Sequence, residues 1–518
     1  MVTPPCPGRF CGALSLLRTC LFALFFALVV ALLPGCAAVP SPGQPATNPP
    51  GAPPPPATPA VSATPQPAEK AATAADAKTP AATGNGSGGS AAHVAKGGET
   101  LKIVARQYLS QSSLMTVQEL EDAIAAANPG TKHGTILHAG EKITVPTILQ
   151  SPIVEKSVPI AADTEVRAIY LTGAMAGSAA GIQLIRKWAQ TGGNAVVFDI
   201  KDSDGSLSIP FAHPLAPPGS HLPISNLPKL LHFLHGLNLH GIARIALFRD
   251  QYQASHHSDL AVRSAASKGP WRENGKLVWL DPSRKTVQDY DLALAQWVAQ
   301  AGADEIQFDY VRFPAEGNQK DARFDFMTEH PQWTRAQVIT DFLSRAYSTL
   351  HPLGVLLSLD VFGVMAWQRD VDLRHTGQDI ASMSKYCDVL SPMIYPSHFF
   401  HMDGYASPGD APEHFIGTSM ERFHRITSTG SHVVLRPWLQ AFAWRTKTYS
   451  PEYIKIQVKT SKAKGGNGFL LWNARNDYSK PFTAMEQMRA RPSQYLKSAE
   501  AEPARSPGKA APLAAKAK

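Results

Sequence analysis

The chain has 518 residues, more than one ordinary domain needs, and its hydrophobic fraction of 44% is ample for a large core. We therefore expect more than one folded unit. The formal net charge of +8 does not indicate nucleic-acid binding, because the Ala/Lys-rich tail after Ser493 supplies part of it and no basic motif is interleaved with aromatic residues.

Residues 1–36 have the pattern of an export signal. Arg9 and Arg18 give a positively charged start, and the apolar run from Leu21 to Leu33 is too short to span a membrane comfortably. Four of the five cysteines lie in this segment, which leaves Cys387 alone in the rest of the chain. We therefore expect an exported protein without an internal disulfide bond.

The segment ends in Leu33-Pro34-Gly35-Cys36, which resembles the bacterial lipobox. The resemblance implies a lipoprotein signal peptide, after whose removal an acylated Cys36 is the mature amino terminus. The protein would then be lipid-anchored in the cell envelope. Ala37 favours the outer membrane, facing the periplasm or the cell surface. The alternative is ordinary cleavage after Cys36-Ala37-Ala38, which would release a soluble protein.

Residues 37–92 consist mainly of Pro, Ala, Gly, Thr and Ser and have no apolar periodicity. Such a segment cannot bury enough apolar surface to fold, so we predict a disordered tether. The Ala/Lys-rich residues 492–518 are predicted to form a disordered tail.

Residues 93–148 resemble a LysM domain. His93 to Leu101 has the pattern of a strand and a Gly turn, helical patterns continue through Leu120, Asn128-Pro129 follows, and a closing strand ends at Pro146. The segment departs from the family at Gly98-Glu99-Thr100, where Gly-Asp-Thr is usual. The resemblance implies binding to N-acetylglucosamine-containing glycans such as peptidoglycan. The alternative is a spacer that has lost this binding.

Residues 158–491 contain eight apolar, β-rich runs that alternate with amphipathic helical patterns. The runs are Val166 to Thr172, Ala195 to Ile200, Arg244 to Phe248, Glu305 to Phe308, Val355 to Leu359, Val389 to Met393, Val433 to Leu439 and Gly468 to Trp472. An open doubly wound sheet would fit six of them, but no Gly-x-Gly-x-x-Gly follows the first run and the count of eight favours closure. The predicted fold class is α/β, a (β/α)8 TIM barrel preceded by a small α+β LysM-like domain.

Four motifs in this region resemble a largely uncharacterised family of bacterial glycoside hydrolases with an α-amylase-like barrel. They are Phe198-Asp199-Ile200-Lys201-Asp202, Trp279-Leu280-Asp281-Pro282, Phe308-Asp309-Tyr310-Val311-Arg312-Phe313-Pro314 and Ser391-Pro392-Met393-Ile394-Tyr395-Pro396. Each motif alone is weak, whereas their order and spacing together are specific. The resemblance implies a hydrolase that acts on glycosidic bonds.

Glycosidic cleavage needs two carboxyl groups, one ionised and one kept protonated by its surroundings. In α-amylase-type barrels they end the fourth and fifth strands, which implies Asp309 as nucleophile and Asp360 as acid/base. The fifth-strand residue is usually Glu in that type, so Glu316 and Glu413 stay open as alternative acids. A chitinase-type site would need Glu where this chain has Val311.

Further side chains near the strand ends are candidates for substrate binding. Arg312 is expected to hold Asp309 ionised, or to form a structural ion pair. Asp199, Lys201 and Asp202 are candidate hydrogen-bond partners of sugar hydroxyls, or a solvated loop. The aromatic candidates for stacking on sugars, each of which core packing also explains, are Trp279, Tyr310, Tyr395, Trp438 and Trp472.

Three classes of function remain open. The first is a retaining glycosidase that acts on a cell-wall or extracellular polysaccharide, and the second is a non-catalytic cell-surface glycan-binding protein. The third, a metal-dependent deacetylase or hydrolase, would need a convergent His/Asp cluster, and His256-His257 lacks the spacing to complete one. We expect no cofactor and no metal.

The lipobox resemblance predicts that a labelled fatty acid is incorporated at Cys36. Metabolic labelling should mark the wild-type protein and leave Cys36→Ala unlabelled, because only the cysteine thiol carries the diacyl group. Persistence of the label in Cys36→Ala would contradict the prediction.

Overall fold

The computed structural model describes residues 89–219 and 222–497. The predicted signal peptide with Cys36, most of the predicted tether and most of the predicted tail lie outside these residues and stay predictions. Within the described part of the chain, no helix combines the length and the apolar character needed to cross a bilayer. Cys387 is a buried free thiol.

The first folded unit is a two-stranded antiparallel sheet with two helices between its strands. Its elements are β1 (Gly89–Val94), α1 (Leu101–Tyr108), α2 (Val117–Ala127) and β2 (Lys142–Ile148). The unit has its own apolar core, which includes Leu101, Val104, Leu120, Ile124 and Val145. Strand β1 begins four residues before the predicted boundary at 93, because Gly89 already pairs with Ile148.

Glu99, the departure from the usual Gly-Asp-Thr, holds the first turn of this unit together. Its carboxylate accepts the backbone N–H of Lys96 at 2.9 Å and the side-chain amide of Gln107 at 3.1 Å, and lies 2.8 Å from His93 Nε2. The Lys96 N–H and the His93 ring, which outweigh burial, lower the pKa of Glu99 to about 2. The extra methylene of Glu therefore serves a contact with strand β1.

The second unit is a closed barrel of parallel strands. They are β3 (Val166–Leu171), β4 (Ala195–Lys201), β5 (His240–Ala246), β7 (Glu305–Asp309), β9 (Leu356–Phe362), β10 (Val389–Ile394), β11 with β12 (Val434–Leu435 and Trp438–Gln440) and β13 (Gly468–Trp472). Segments β11 and β12 are two pieces of the seventh barrel strand, since both pair with β10. Strand β13 pairs with β3 and closes the sheet. The predicted (β/α)8 barrel is thus confirmed, and the open-sheet alternative is excluded.

Helices follow the strands and cover the outside of the barrel. Those of this unit are α3 (Gly173–Ala176), α4 (Ala179–Gln190), α5 (Leu227–Gly236), α6 (Gln251–His256), α7 (Lys285–Gln300), α8 (Phe326–Glu329), α9 (Arg335–Leu350), α10 (Asp370–Thr376), α11 (Ile380–Met383), α12 (Pro412–Thr427), α13 (Pro451–Ala463), α14 (Ser479–Arg489) and α15 (Pro492–Tyr495). Two short strands, β6 (Arg263–Ser264) and β8 (Ala322–Arg323), pair antiparallel between the loops that follow β5 and β7. A capping box formed by Thr334 and Gln337 begins α9.

The interior of the barrel is partly polar. A small apolar cluster that includes Val166, Val197 and Leu470 lies apart from the large core between strands and helices. Beside it, Glu305 binds Arg436 Nη1 at 2.8 Å and His240 Nε2 at 3.1 Å. Burial opposes ionisation of Glu305, but Arg436 and His240 outweigh it and lower its pKa to about 2. The barrel is therefore a filled core with ion pairs along its axis.

Candidate active site

Each of the eight barrel strands places one polar or aromatic side chain at its carboxyl end, where barrel enzymes keep their chemistry. We call this set the ring. In chain order it consists of Tyr170, Asp199, Arg244, Asp309, Asp360, Tyr395, Trp438 and Trp472. All are buried except Trp472, which is half-buried. The ring therefore brings together six of the residues predicted from sequence and adds Tyr170 and Arg244.

Arg244 joins two carboxylates of the ring. Its Nη1 donates to Asp199 Oδ1 at 2.5 Å, while Nη2 and Nε donate to Asp309 Oδ2 at 2.6 and 3.2 Å. Burial disfavours the charged guanidinium, but Asp199 and Asp309 outweigh it and raise the pKa of Arg244 above its usual value. One buried cation thus fixes the position of both aspartates.

The expected partner of Asp309 was Arg312, and the structure assigns the ion pair to Arg244 instead. The guanidinium of Arg312 lies over the rings of Trp279 and Tyr310, at 4.8 and 5.3 Å from their centroids, and donates to the carbonyl of Phe313. A sequence signal for Arg244 existed, because it is a single arginine inside the apolar strand β5. A charge in such a strand has to be paired in the barrel interior.

Asp199 also accepts a hydrogen bond from the Tyr170 hydroxyl at 2.5 Å. Burial raises the pKa of Asp199 to about 7, even though Arg244 opposes the shift, and the nearby Asp202 adds to it. Asp199 therefore changes its charge near neutral pH. Asp202 is half-exposed at the edge of the ring, 3.8 Å from Arg244 Nη1.

Asp360 is buried, with 1% of its surface exposed. Trp438 Nε1 donates to its Oδ1 at 2.7 Å. Burial and, next, the charge of Asp309 raise the pKa of Asp360 well above its ordinary value, which favours the protonated form of this carboxyl. Strands β7 and β9 pair with Phe308 opposite Leu359, which places the following residues, Asp309 and Asp360, side by side.

Aromatic contacts complete the ring between Asp199 and Asp360. Tyr170 stacks on Trp472 with centroids 4.0 Å apart, and Trp472 meets Trp438 edge to face at 5.6 Å. Trp438 in turn binds Asp360. A continuous chain of contacts therefore links both carboxyls around the mouth of the barrel.

Tyr310 and Trp279 form a wall beside Asp309. The backbone N–H of Tyr310 donates to Asp309 Oδ1 at 2.6 Å, and Tyr310 has the left-handed φ of 53° that a non-glycine residue rarely adopts. Trp279 is buried edge to face against Tyr310. Among the described residues, its Nε1 has no hydrogen-bond partner.

Lys201 does not belong to the site, which corrects the sequence prediction. Its Nζ is fully buried and binds Asp291 at 2.6 Å and Asp250 at 3.1 Å. The reason is an irregularity in β4, where Asp199 pairs with Arg244 but Lys201 pairs with the next residue, Ile245. Because side chains alternate along a strand, this extra residue turns Lys201 outward, away from the ring.

The two alternative acids lie in different surroundings. Burial and the neighbouring Glu273 raise the pKa of Glu316 to about 7, against the opposing charges of Arg312 and Arg249. Glu316 is half-buried in the loop after β7, next to the wall. Glu413 is exposed in the first turn of α12.

A cavity of about 600 Å³ lies at the opposite end of the barrel, lined by residues that include Glu165, His432 and Gly468. It is at the amino ends of strands β11 and β13, where barrel enzymes do not place catalytic groups. Residues 89–219 and 222–497 contain no group of three or more His, Cys, Asp or Glu side chains placed to hold a metal ion.

A protein-family model described as "Putative glycosyl hydrolase domain" matches residues 168–478, which is more than half of the chain and spans all eight barrel strands. The chain belongs to this glycosyl hydrolase family. The matched residues include the whole ring. A comparison with curated proteins found no match.

Solved structures similar to this chain include a hypothetical protein from Ruminiclostridium thermocellum, with 35% identity and a TM-score of 0.33 over 37% of this chain and 97% of that one. The PgaB (BpsB) glycoside hydrolase domain from Bordetella bronchiseptica has 16% identity and a TM-score of 0.48 over 65% and 100%. The spore cortex-lytic enzyme SleL from Bacillus megaterium has 13% identity and a TM-score of 0.39 over 78% of this chain and 86% of that one.

The raised pKa of Asp199 predicts how stability depends on pH. Between its ordinary value of 3.8 and about 7, the unfolded chain has released a proton that the folded protein keeps, so the free energy of unfolding falls as pH rises through this window. Asp199→Asn should remove this contribution. Urea unfolding at several pH values should show that the free energy of unfolding decreases less with rising pH for Asp199→Asn than for the wild type.

The exposed Asp370 on α10 provides the control, since Asp370→Asn should leave the pH dependence unchanged. Equal pH dependence of the wild type and Asp199→Asn would show that Asp199 titrates normally.

Proposed function

We propose that this glycosyl hydrolase is a retaining glycosidase that cleaves a bacterial cell-wall or extracellular polysaccharide. Asp309 is the nucleophile and Asp360 the acid/base. The observation that carries the proposal is that two carboxyls lie side by side on neighbouring barrel strands in different electrostatic surroundings. Asp309 forms an ion pair with Arg244, while burial raises the pKa of the neighbouring Asp360 well above its ordinary value. Two carboxyls kept in different protonation states are what glycosidic cleavage requires.

The strand register supports retention rather than inversion. Neighbouring strands lie about 4.8 Å apart. Asp309 and Asp360 directly follow Phe308 and Leu359, which pair with each other across strands β7 and β9. Retaining enzymes hold their carboxyls about 5 to 5.5 Å apart, whereas inverting enzymes leave room for a water at roughly 6.5 to 9.5 Å. The side-by-side placement agrees with the shorter separation.

The reaction then has two balanced steps. In the first, an oxygen of Asp309 bonds to the anomeric carbon as the glycosidic bond breaks, and Asp360 delivers its proton to the departing oxygen. In the second, Asp360 takes a proton from water, whose oxygen displaces Asp309 from the sugar. Arg244 and the Tyr310 N–H hold Asp309 for both steps.

Asp309→Asn should lower turnover by several orders of magnitude while it preserves fold and glycan binding, since an amide fills the same volume but cannot form the ester. Asp360→Asn should slow natural glycosides far more than activated aryl glycosides, because only the former need a proton at the leaving oxygen. Steady-state kinetics on both substrate types measures the difference. Proton NMR of the first product should show the anomer of the substrate.

Glu316→Gln is the matched comparison, since Glu316 is the other carboxyl near the ring with a raised pKa. If Glu316→Gln shows the leaving-group asymmetry and Asp360→Asn does not, the acid is Glu316. If Asp309→Asn keeps near-wild-type activity, Asp309 is not the nucleophile. A wild-type protein that binds a glycan and cleaves none would support the non-catalytic alternative.

We also propose that residues 89–148 bind N-acetylglucosamine-containing glycan such as peptidoglycan, and hold the barrel near the cell wall. The order strand, two helices, strand agrees with the LysM resemblance, and this segment has an apolar core of its own. Linking such a module to an enzyme raises the local concentration of substrate.

The isolated segment 89–148 should be enriched with insoluble peptidoglycan in a pull-down, with the modest affinity of a single shallow module. Circular dichroism first verifies that the segment folds. A folded segment that is enriched no more than a scrambled-sequence control would contradict glycan binding and favour a spacer.

A further inference from the structure

Three side chains outside the ring form a second aromatic surface at the carboxyl end of the barrel. His398 follows β10, and Phe442 and Trp444 follow β12. We call these three residues the aromatic platform. All three are half-buried. Sequence patterns did not single them out, because they lie in loops without periodicity.

The platform continues outward from the ring through Tyr395. The Tyr395 ring contacts His398 at 5.3 Å and Phe442 at 5.7 Å between centroids. His398 contacts Phe442 at 5.9 Å and Trp444 at 5.2 Å. Exposure increases along this path, because Tyr395 is buried whereas Phe442 and Trp444 are half-buried. A series of tilted and edge-to-face ring contacts therefore runs from the centre of the barrel to its rim.

The platform is held rigidly by Gln440 at the end of β12. The Gln440 amide accepts the backbone N–H of Ser397 and donates to the carbonyl of Phe442 and to Thr446 Oγ1. Thr446 Oγ1 in turn lies 3.1 Å from the carbonyl of Trp444. The backbone of Gln440 is fixed on both sides by the side-chain amide of Gln457 at 2.9 Å. Both loops are thus tied to one buried residue of the barrel.

The chemistry of this surface suits sugars. Burial, with the charge of Arg445 as second cause, lowers the pKa of His398 to about 4, so its ring is neutral at neutral pH. Flat, neutral rings stack on the apolar C–H faces of pyranose rings. Trp444 is half-buried in a loop tied to Gln440, and the guanidinium of Arg445 lies over its ring, 4.7 Å from the centroid.

We propose that the aromatic platform is a glycan subsite that binds a further sugar of the substrate, next to the sugars at the cleaved bond. The substrate is then a chain of several sugars that extends over the sixth and seventh barrel strands, rather than a short glycoside. This inference rests on the proposed function for the position of the cleaved bond. Binding at the platform itself is measurable without turnover.

The test uses the full chain and four variants, Trp444→Ala, Trp444→Leu, Phe442→Ala and, as control, Tyr347→Ala. Tyr347 is a half-buried ring on α9, in the outer helical layer. Trp444→Leu keeps apolar bulk without the ring face, so it distinguishes stacking from loop folding. Circular dichroism melting verifies that each variant folds. Soluble fragments of peptidoglycan and of extracellular polysaccharides, two and six sugars long, are the probes.

Isothermal calorimetry on an Asp309→Asn background measures binding, and steady-state kinetics measures turnover. We expect the platform variants to bind six-sugar fragments about tenfold more weakly and to raise KM for them by a similar factor, with little change for two-sugar fragments or in kcat. Tyr347→Ala should behave as the wild type, and Trp444→Leu as Trp444→Ala.

The outcomes separate the two proposals. Loss of six-sugar binding in the platform variants without any cleavage by the wild type supports the subsite and overturns the glycosidase. The subsite is overturned if the substitutions of Trp444 and Phe442 change neither cleavage nor binding. It is also overturned if the wild type binds six-sugar fragments no better than two-sugar fragments.

Discussion

The ion pair of Arg244 with Asp199 and Asp309 is the interaction on which the candidate active site depends. The ring holds three buried carboxyls and one guanidinium, so they cannot all be ionised at low cost. Arg244 binds Asp309 through two nitrogens and Asp199 through one. Asp360 has the indole of Trp438 as its hydrogen-bond partner, and burial raises its pKa well above the ordinary value. One cation thus gives Asp309 and Asp360 different electrostatic surroundings, which is what the proposed reaction needs.

The same strand that delivers Asp309 carries polar residues through the whole barrel. Glu305, Gln307 and Asp309 alternate with the apolar Ile306 and Phe308, and Glu305 is neutralised by Arg436 and His240 below the ring. The two carboxylates of this strand each have a cation, Arg436 for Glu305 and Arg244 for Asp309. This arrangement explains how a buried strand can present a carboxylate at its end without leaving unpaired charges beneath it.

Loops that follow the strands place further aromatic side chains beside the ring. Arg312, Trp279 and Tyr310 form one wall beside Asp309, and the aromatic platform forms the other beside Tyr395. The two walls lie on loops after different strands, so a glycan chain that passes over the ring would meet both. Barrel enzymes commonly change substrate through such loops while the strand ends keep the chemistry.

The sequence by itself determined the class of fold and most of the ring. Alternating apolar runs and helical patterns predicted eight strands, and position at strand ends predicted Asp309, Asp360, Asp199 and three of the aromatic residues, because strand ends meet at one edge of a parallel sheet. Only the tertiary structure decided the charge partners. Arg244 replaced Arg312 because its strand lies between those of Asp199 and Asp309, and one extra residue in β4 turned Lys201 towards Asp291. Periodicity predicts which residues share a strand face, whereas pairing across strands depends on register and bulges that no local pattern encodes.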